Sequence, residues 1–191
     1  MATGTARKSI ADTFAQLRAK KQLAFMPFIP AGYPDLATTE KLLPALEQAG
    51  ASIIEIGIPF SDPIADGPVI QEAFTAALSK KLKLADVFAT VKKARASVSI
   101  PLVAMVSYSI TYRYGLERFV ATMKESGFDG LILPDVPPLR RMGARPREED
   151  ERLALVEICQ SKGASPFRGK TYGGGARGGP AAGGRLDRGE P

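Results

Sequence analysis

The sequence predicts an α/β fold built on a parallel sheet, with its chemistry gathered at the carboxyl ends of the strands. Three observations carry this reading. Four short apolar runs, within 24–34, 52–57, 100–108 and 129–135, are continuous rather than alternating, the pattern of strands covered on both faces. Between them lie stretches with the apolar spacing of helices, so the order is one helix followed by four strand–helix units, as in crossover helices on a parallel sheet. The runs end in glycine, proline or acid, or in the hydroxyl residues of VSYS, within PAG, EIGIP, VSYS and LPD. Parallel α/β folds place their sites at those ends.

The elements follow in order. Residues 8–21 put Ile10, Phe14 and Leu17 on one face and predict a helix. AFMPFIPAGYP, 24–34, reads as a first strand stopped by Gly32 and Pro34. Residues 36–49 form an amphipathic helix with Leu42, Leu43 and Leu46 inward and Gly50 as its stop; Pro44 is expected to bend or shorten it. SIIEIG, 52–57, is the second strand, and 68–79 and 84–96 are helical. IPLVAMVSY, 100–108, is the third strand. The segment 115–127 is a helix closed by Gly127, and DGLILPD, 129–135, is the fourth strand. A charged helix is expected over 148–163, with Leu153, Val156 and Cys159 on its apolar side. The charge-rich stretch before it, LRRMGARPREED at 139–150, is long for a compact strand–helix connection. From Ala164 onward the chain is rich in glycine and arginine and poor in large apolar residues, so it cannot bury enough surface to offset its conformational entropy. The expected organisation is a domain over 1–163 and a disordered low-complexity tail over 164–191.

Composition narrows the function. Of the net charge of +6, half lies in that tail, which holds five Arg/Lys against two acids. The remainder is mildly basic, and nucleic acid is not expected as a partner. An Arg–Gly RNA-binding reading of the tail is disfavoured by irregular spacing and scarce aromatics. The chain has no histidine, so no imidazole serves as base or metal ligand. A single cysteine forms no intrachain disulfide and fits a reducing compartment. No run is long enough to span a membrane, and the polar start gives no signal-peptide pattern, so the cytoplasm is the expected location.

The stretch EIGIPFSDPIADGP, 55–68, sets a glutamate inside an apolar strand and aspartates seven and eleven residues later. Alternation puts Ile53, Glu55 and Gly57 on one face, Ser52, Ile54 and Ile56 on the other. A carboxyl among isoleucines is desolvated, which raises its pKa and suits it to both give and take a proton. Asp66, in the loop that follows, can supply a second, more solvated carboxylate with a charge-stabilising role. Plainer readings stand beside these. Glu55 is otherwise a buried glutamate paired with a basic residue. Asp62 is a turn former before Pro63, Asp66 part of an Asp–Gly turn, Asp135 a cap of the following segment, and Phe28 a core residue. No spacing argues for a metal, and none is expected.

EIGIPFSDPIADGPVIQ, 55–71, closely resembles the signature of the tryptophan synthase alpha chain family, supported by FMPFIPAGYP at 25–34, RYGLERF at 113–119 and GLILPDVP at 130–137. The resemblance covers about residues 8–138. It implies a TIM (β/α)8 barrel with an extra N-terminal helix, and cleavage of indole-3-glycerol phosphate to indole and glyceraldehyde 3-phosphate. It implies no cofactor for that step, with pyridoxal phosphate held only by a beta subunit partner. It further implies that Glu55 is the catalytic acid/base and Asp66 the second catalytic carboxylate. Phe28, Met105 and Asp135 then surround substrate, and Pro59 and Asp62 face the beta subunit. SYS at 107–109 departs from the tyrosine–alanine–asparagine version of some members. Four strands are counted against the eight of a full barrel, so the expectation is the N-terminal half of the barrel, about four strand–helix units, without the half that binds phosphate. The compositional break after Ala164 is expected to mark a frameshift or misplaced gene end. Such a chain should be impaired in catalysis; its alternative function is to dock on a beta subunit without catalysing.

Overall fold

The computed structural model describes residues 7–63 and 66–135, together with the backbone of 165–167. The elements are α1 (Ile10–Ala19), β1 (Phe28–Pro30), α2 (Leu36–Gln48), β2 (Ile54–Gly57), α3 (Pro68–Ser79), α4 (Leu84–Ala94), a 3₁₀ turn (Arg95–Ser97), β3 (Leu102–Met105), α5 (Tyr108–Tyr114), α6 (Leu116–Glu125), β4 (Gly130–Ile132) and β5 (Ser165–Phe167). All neighbouring strands are parallel, and their order in space is their order in sequence. Consecutive parallel strands with helices packed outside are the arrangement of a TIM barrel.

The two faces of the sheet bury different things. Ile29, Ile54, Ile56, Leu102, Ala104 and Leu131 point outward into the main core with Leu43, Val87, Phe88, Val91, Phe119 and Met123 of the helices. Phe88 anchors that layer by edge contacts to Tyr114, Phe119 and Phe128, at centroid distances of 6.3, 5.6 and 6.2 Å. The opposite face carries a smaller cluster, in which Ile53 and Val103 meet Ile10 and Phe14 of α1 and Ile132. α1 therefore plugs the inner side of the sheet. Its start is fixed by Ser9, whose Oγ accepts from the Asp12 amide at 3.0 Å.

A polar cluster ties the amino ends of the strands together. Asp129, just before β4, accepts from the Leu102 amide at 2.9 Å and pairs with Arg7 Nε at 2.7 Å and Arg95 Nη2 at 3.3 Å. Arg7 also donates to the Phe128 carbonyl at 2.8 Å, and Arg95 Nη1 to that of Ile100 at 2.6 Å. Arg95 Nη2 is buried and makes no formed hydrogen bond, so Asp129 holds it by charge alone. Burial depresses the Arg95 pKa and the Asp129 charge opposes that. The Arg95 stem lies over Gly127, where an added Cβ would stand 2.7 Å from Arg95 Cγ at a backbone φ of +95°. Helix α6 thus ends on a glycine for two reasons, its left-handed backbone and the guanidinium stem above it.

Several expectations change. The third strand stops at Met105, and residues 108–114 are helix. SYSITYRY is rich in aromatic and β-branched residues, but Ser107 caps it locally and tertiary bonds to its first amide outweigh propensity. The first strand shrinks to three residues, because Pro27 and Pro30 lack amide donors. Helix α2 runs through Pro44 to Gln48; Leu43, fully buried against the neighbouring elements, keeps the second half docked. Four strands were expected and a fifth is present: Ser165–Phe167 pairs with β4 in register Gly130–Ser165, Leu131–Pro166 and Ile132–Phe167. The expected tail boundary at 163/164 falls just before this strand. Backbone pairing to β4 needs no apolar side chain, which is why composition gave no sign of it. The expected helix over 148–163, the linker over 139–150, Cys159 and residues 168–191 lie outside the described residues.

Candidate active site

Register places the sequence-predicted residues in rows across the inner face of the sheet. Phe28, Glu55 and Val103 are partners on β1, β2 and β3, with Gly130 on β4 next in line. The next inner row toward the carboxyl ends is Pro30, Gly57, Met105 and Ile132. Phe28 thus stands beside Glu55, and Met105 lies one row nearer the mouth.

Glu55 is half-buried, and among the described residues no hydrogen bond or ion pair reaches its carboxylate. Burial pushes its pKa up, with no charge to offset it. The reading of Glu55 as half of a buried ion pair is therefore set aside among the described residues. An unpartnered carboxyl withdrawn from water is costly to the fold and available for proton transfer.

The loop after β2 carries the other acids. Asp66 donates its amide to the Pro63 carbonyl at 3.1 Å, and its own carbonyl accepts from Gln71 Nε2 at 2.8 Å. Gln71 also reaches the Pro63 carbonyl at 3.3 Å, so the loop is stapled to α3 from within. Gly67 and Pro68 then open α3, with proline at the first helical position, where a missing amide costs nothing. The turn reading of Asp66 thus holds for its backbone, while its side chain takes no part in those bonds. Burial raises the Asp66 pKa as well. Asp62 is exposed and accepts from Ser61 Oγ at 3.3 Å, whereas Pro59 is buried. Of that pair only Asp62 is open to a partner on this surface.

Asp135 does something the sequence did not show. Its carboxylate accepts from Ser107 Oγ at 2.6 Å and from the Tyr108 amide at 2.7 Å. It caps α5, whose first residue lies 27 positions before it in the chain; the segment after Asp135 lies outside the described residues. The bond clamps the ends of β3 and β4 together at the mouth of the site. Ser107 is the residue that sequence reasoning missed here, although a serine directly before a helix is an N-cap signal.

Gly57 is the other. An added Cβ there would stand 2.4 and 2.6 Å from Phe28 Cζ and Cε2, and 3.2 Å from Phe74 Cζ. The Phe28 ring therefore lies across the end of β2, one residue row above Glu55. Among the described residues no three acidic or sulfur groups converge as a metal site, and no helix is long and apolar enough to cross a membrane.

Comparison with known proteins gives this arrangement a lineage. The model of the family described as tryptophan synthase alpha chain matches residues 14–165. The chain is 46% identical over 124 residues to the tryptophan synthase alpha chain of Clostridium acetobutylicum, covering 65% of this chain and 47% of that one. It is 50% identical over 129 residues to that of Chloroflexus aurantiacus, covering 67% and 48%. Among solved structures it is similar to the alpha subunit of tryptophan synthase from Legionella pneumophila, with a TM-score of 0.72, 34% identity, and 82% of this chain and 56% of that one covered. It is also similar to a ligand-free tryptophan synthase from M. tuberculosis, with a TM-score of 0.71, 30% identity, and coverage of 84% and 61%. The chain spans about half the length of the curated relatives it matches. The match runs through both the sheet and the loop that carries the acids, and the chain belongs to the tryptophan synthase alpha chain family.

Proposed function

We propose that this chain carries the proton-transfer face of a carbon–carbon lyase that cleaves indole-3-glycerol phosphate to indole and glyceraldehyde 3-phosphate. The observation that carries the reading is Glu55, half-buried, free of partners among the described residues and raised in pKa by burial. Breaking the bond at indole C3 requires a proton on that carbon, so that the ring can leave with the bonding electrons. Positive charge grows on the ring nitrogen as this happens, and a proton departs the glycerol hydroxyl as the aldehyde forms. Glu55 suits the proton transfers, since a raised carboxyl pKa brings its acid and base forms closer in energy near neutral pH. Asp66 suits the ring nitrogen, where a fixed carboxylate stabilises developing cationic charge. Phe28 and Met105 supply apolar wall for a flat ring, and Asp135 shapes the rim through Ser107.

This chemistry draws on no cofactor of the chain itself; pyridoxal phosphate belongs to the beta subunit, the proposed partner. The absence of histidine and the single cysteine suit such a carboxylate mechanism in the cytoplasm. Steady-state indole release from indole-3-glycerol phosphate tests the reading, and Glu55→Gln should abolish whatever release is measured. A second reading rests on the exposure of Asp62. It lets the chain dock on a beta subunit whether or not it turns over substrate. Titration into a beta subunit should then yield a complex on sizing and a change in beta activity, both weakened by Asp62→Ala.

A further inference from the structure

Glycine at position 57 is not required by the backbone. Its φ lies outside the left-handed region, and the described glycines with positive φ are Gly32, Gly50, Gly115 and Gly127. It is required by space. A single methyl at this position would overlap the far edge of the Phe28 ring at 2.4 Å and press on Phe74 at 3.2 Å. Phe74 is fixed, at 2% exposure, in the packing of α3. Phe28 is only partly buried and lies on a three-residue strand, so its ring is the group that can yield. Gly57 is two residues beyond Glu55 on the same face of β2, and Phe28 is the register partner of Glu55 on β1. The ring that fills the vacant Cβ volume therefore roofs the strand position occupied by the carboxylate.

We propose that Gly57 is a positioning residue for the candidate active site: by carrying no side chain it seats the Phe28 ring over the end of β2, and that ring shields the Glu55 carboxylate from water while offering a planar aromatic substrate a wall of fixed position. The inference rests on the reading of Glu55 as the acid/base. It explains why a strand otherwise made of isoleucines and glutamate ends on glycine. It also supplies a physical source for the desolvation of Glu55, since the inner-face neighbours Phe28, Ile53, Val103 and Met105 are uncharged. Ionisable groups on the surrounding segments include Asp62 and Asp66 on the loop after β2, Glu72 on α3, Asp135 after β4, and Asp12 and Arg18 on α1. The raised pKa of Glu55 has burial as its cause and no charge among these groups.

The test is a double-substitution cycle on the 191-residue chain, read by carboxyl carbon-13 NMR titration of Glu55 in the native chain, Gly57→Ala, Phe28→Ala and the combined variant. Gly57→Ala should fold, shift the Phe28 ring resonances and lower the Glu55 midpoint toward the ordinary glutamate range. Phe28→Ala should lower it likewise. The combined variant should match Phe28→Ala, because the glycine acts only through the ring. An unchanged midpoint in Gly57→Ala, or an equal further drop when Phe28 is already alanine, overturns the proposal. Should Gly57→Ala fail to fold, Phe28→Ala must rescue it; a combined variant that also fails to fold shows that Phe28 is not what the glycine accommodates. Indole release is measured in parallel on the same four sequences, each joined over residues 1–135 to the complementary carboxyl-terminal portion of the L. pneumophila alpha chain. Coupling with no release there leaves the positioning role standing and removes the lyase reading, and release without coupling does the reverse.

Discussion

Glu55 is held in the fold at a cost to stability. Its pKa is raised in the folded chain by burial, so ionisation favours the unfolded chain. For a carboxyl raised in this way, the stability contribution is fully present below the unfolded pKa and is lost as pH rises through the folded one. Glu55→Gln should therefore raise the thermal unfolding midpoint at pH 7, with the gain shrinking to nothing near pH 4. Scanning calorimetry at the two pH values checks this, and a lower midpoint at pH 7 would show that the carboxylate is satisfied in the fold. A stabilising substitution that abolishes indole release is the pattern of a catalytic group carried at the expense of stability. Glu55 was legible from the sequence because strand alternation is local and β2 keeps it through Gly57. The bond from Ser107 to Asp135 was not, since the two residues lie 28 apart and nothing near either names the other.

At the scale of elements, the strands are fastened at their amino ends by Asp129 and lined for chemistry at their carboxyl ends. Asp129→Ala leaves Arg95 buried without its ion-pair partner, and breaking a buried pair from one side costs about 3 kcal/mol. Denaturant unfolding should show a midpoint lowered accordingly, while Arg7→Ala, at the more exposed arm of the same cluster, should cost less than about 1 kcal/mol. Gly127→Ala should cost about 1 kcal/mol or more from its positive φ alone, and further through displacement of Arg95. Helix α3 was readable to the residue because Gly67 and Pro68 punctuate its start. Helix α5 was not, because its aromatic and β-branched residues continue the apparent strand and only the cap at Ser107 ends it. Strand β5 was hidden for the opposite reason: backbone pairing to β4 places three residues of a glycine-rich stretch in the sheet without any periodic pattern.

At the scale of the whole molecule, five parallel strands follow one another in sequence order, and β1 and β5 each pair on one side among the described residues. The family matches extend over about half of each curated relative, and TIM barrels commonly hold phosphate after strands seven and eight. A polypeptide of these 191 residues alone should accordingly release little indole. The fold class was legible because buried parallel strands impose continuous apolar runs, a signal each strand repeats. The measurement that bears most directly on the lyase reading uses a chimera joining residues 1–135 of this chain to the complementary carboxyl-terminal portion of the L. pneumophila alpha chain. Its steady-state indole release from indole-3-glycerol phosphate is compared with and without Glu55→Gln. The account predicts turnover with Glu55 in place and a loss of at least about 100-fold on substitution. A folded chimera that never releases indole, or one indifferent to Glu55→Gln, would contradict it.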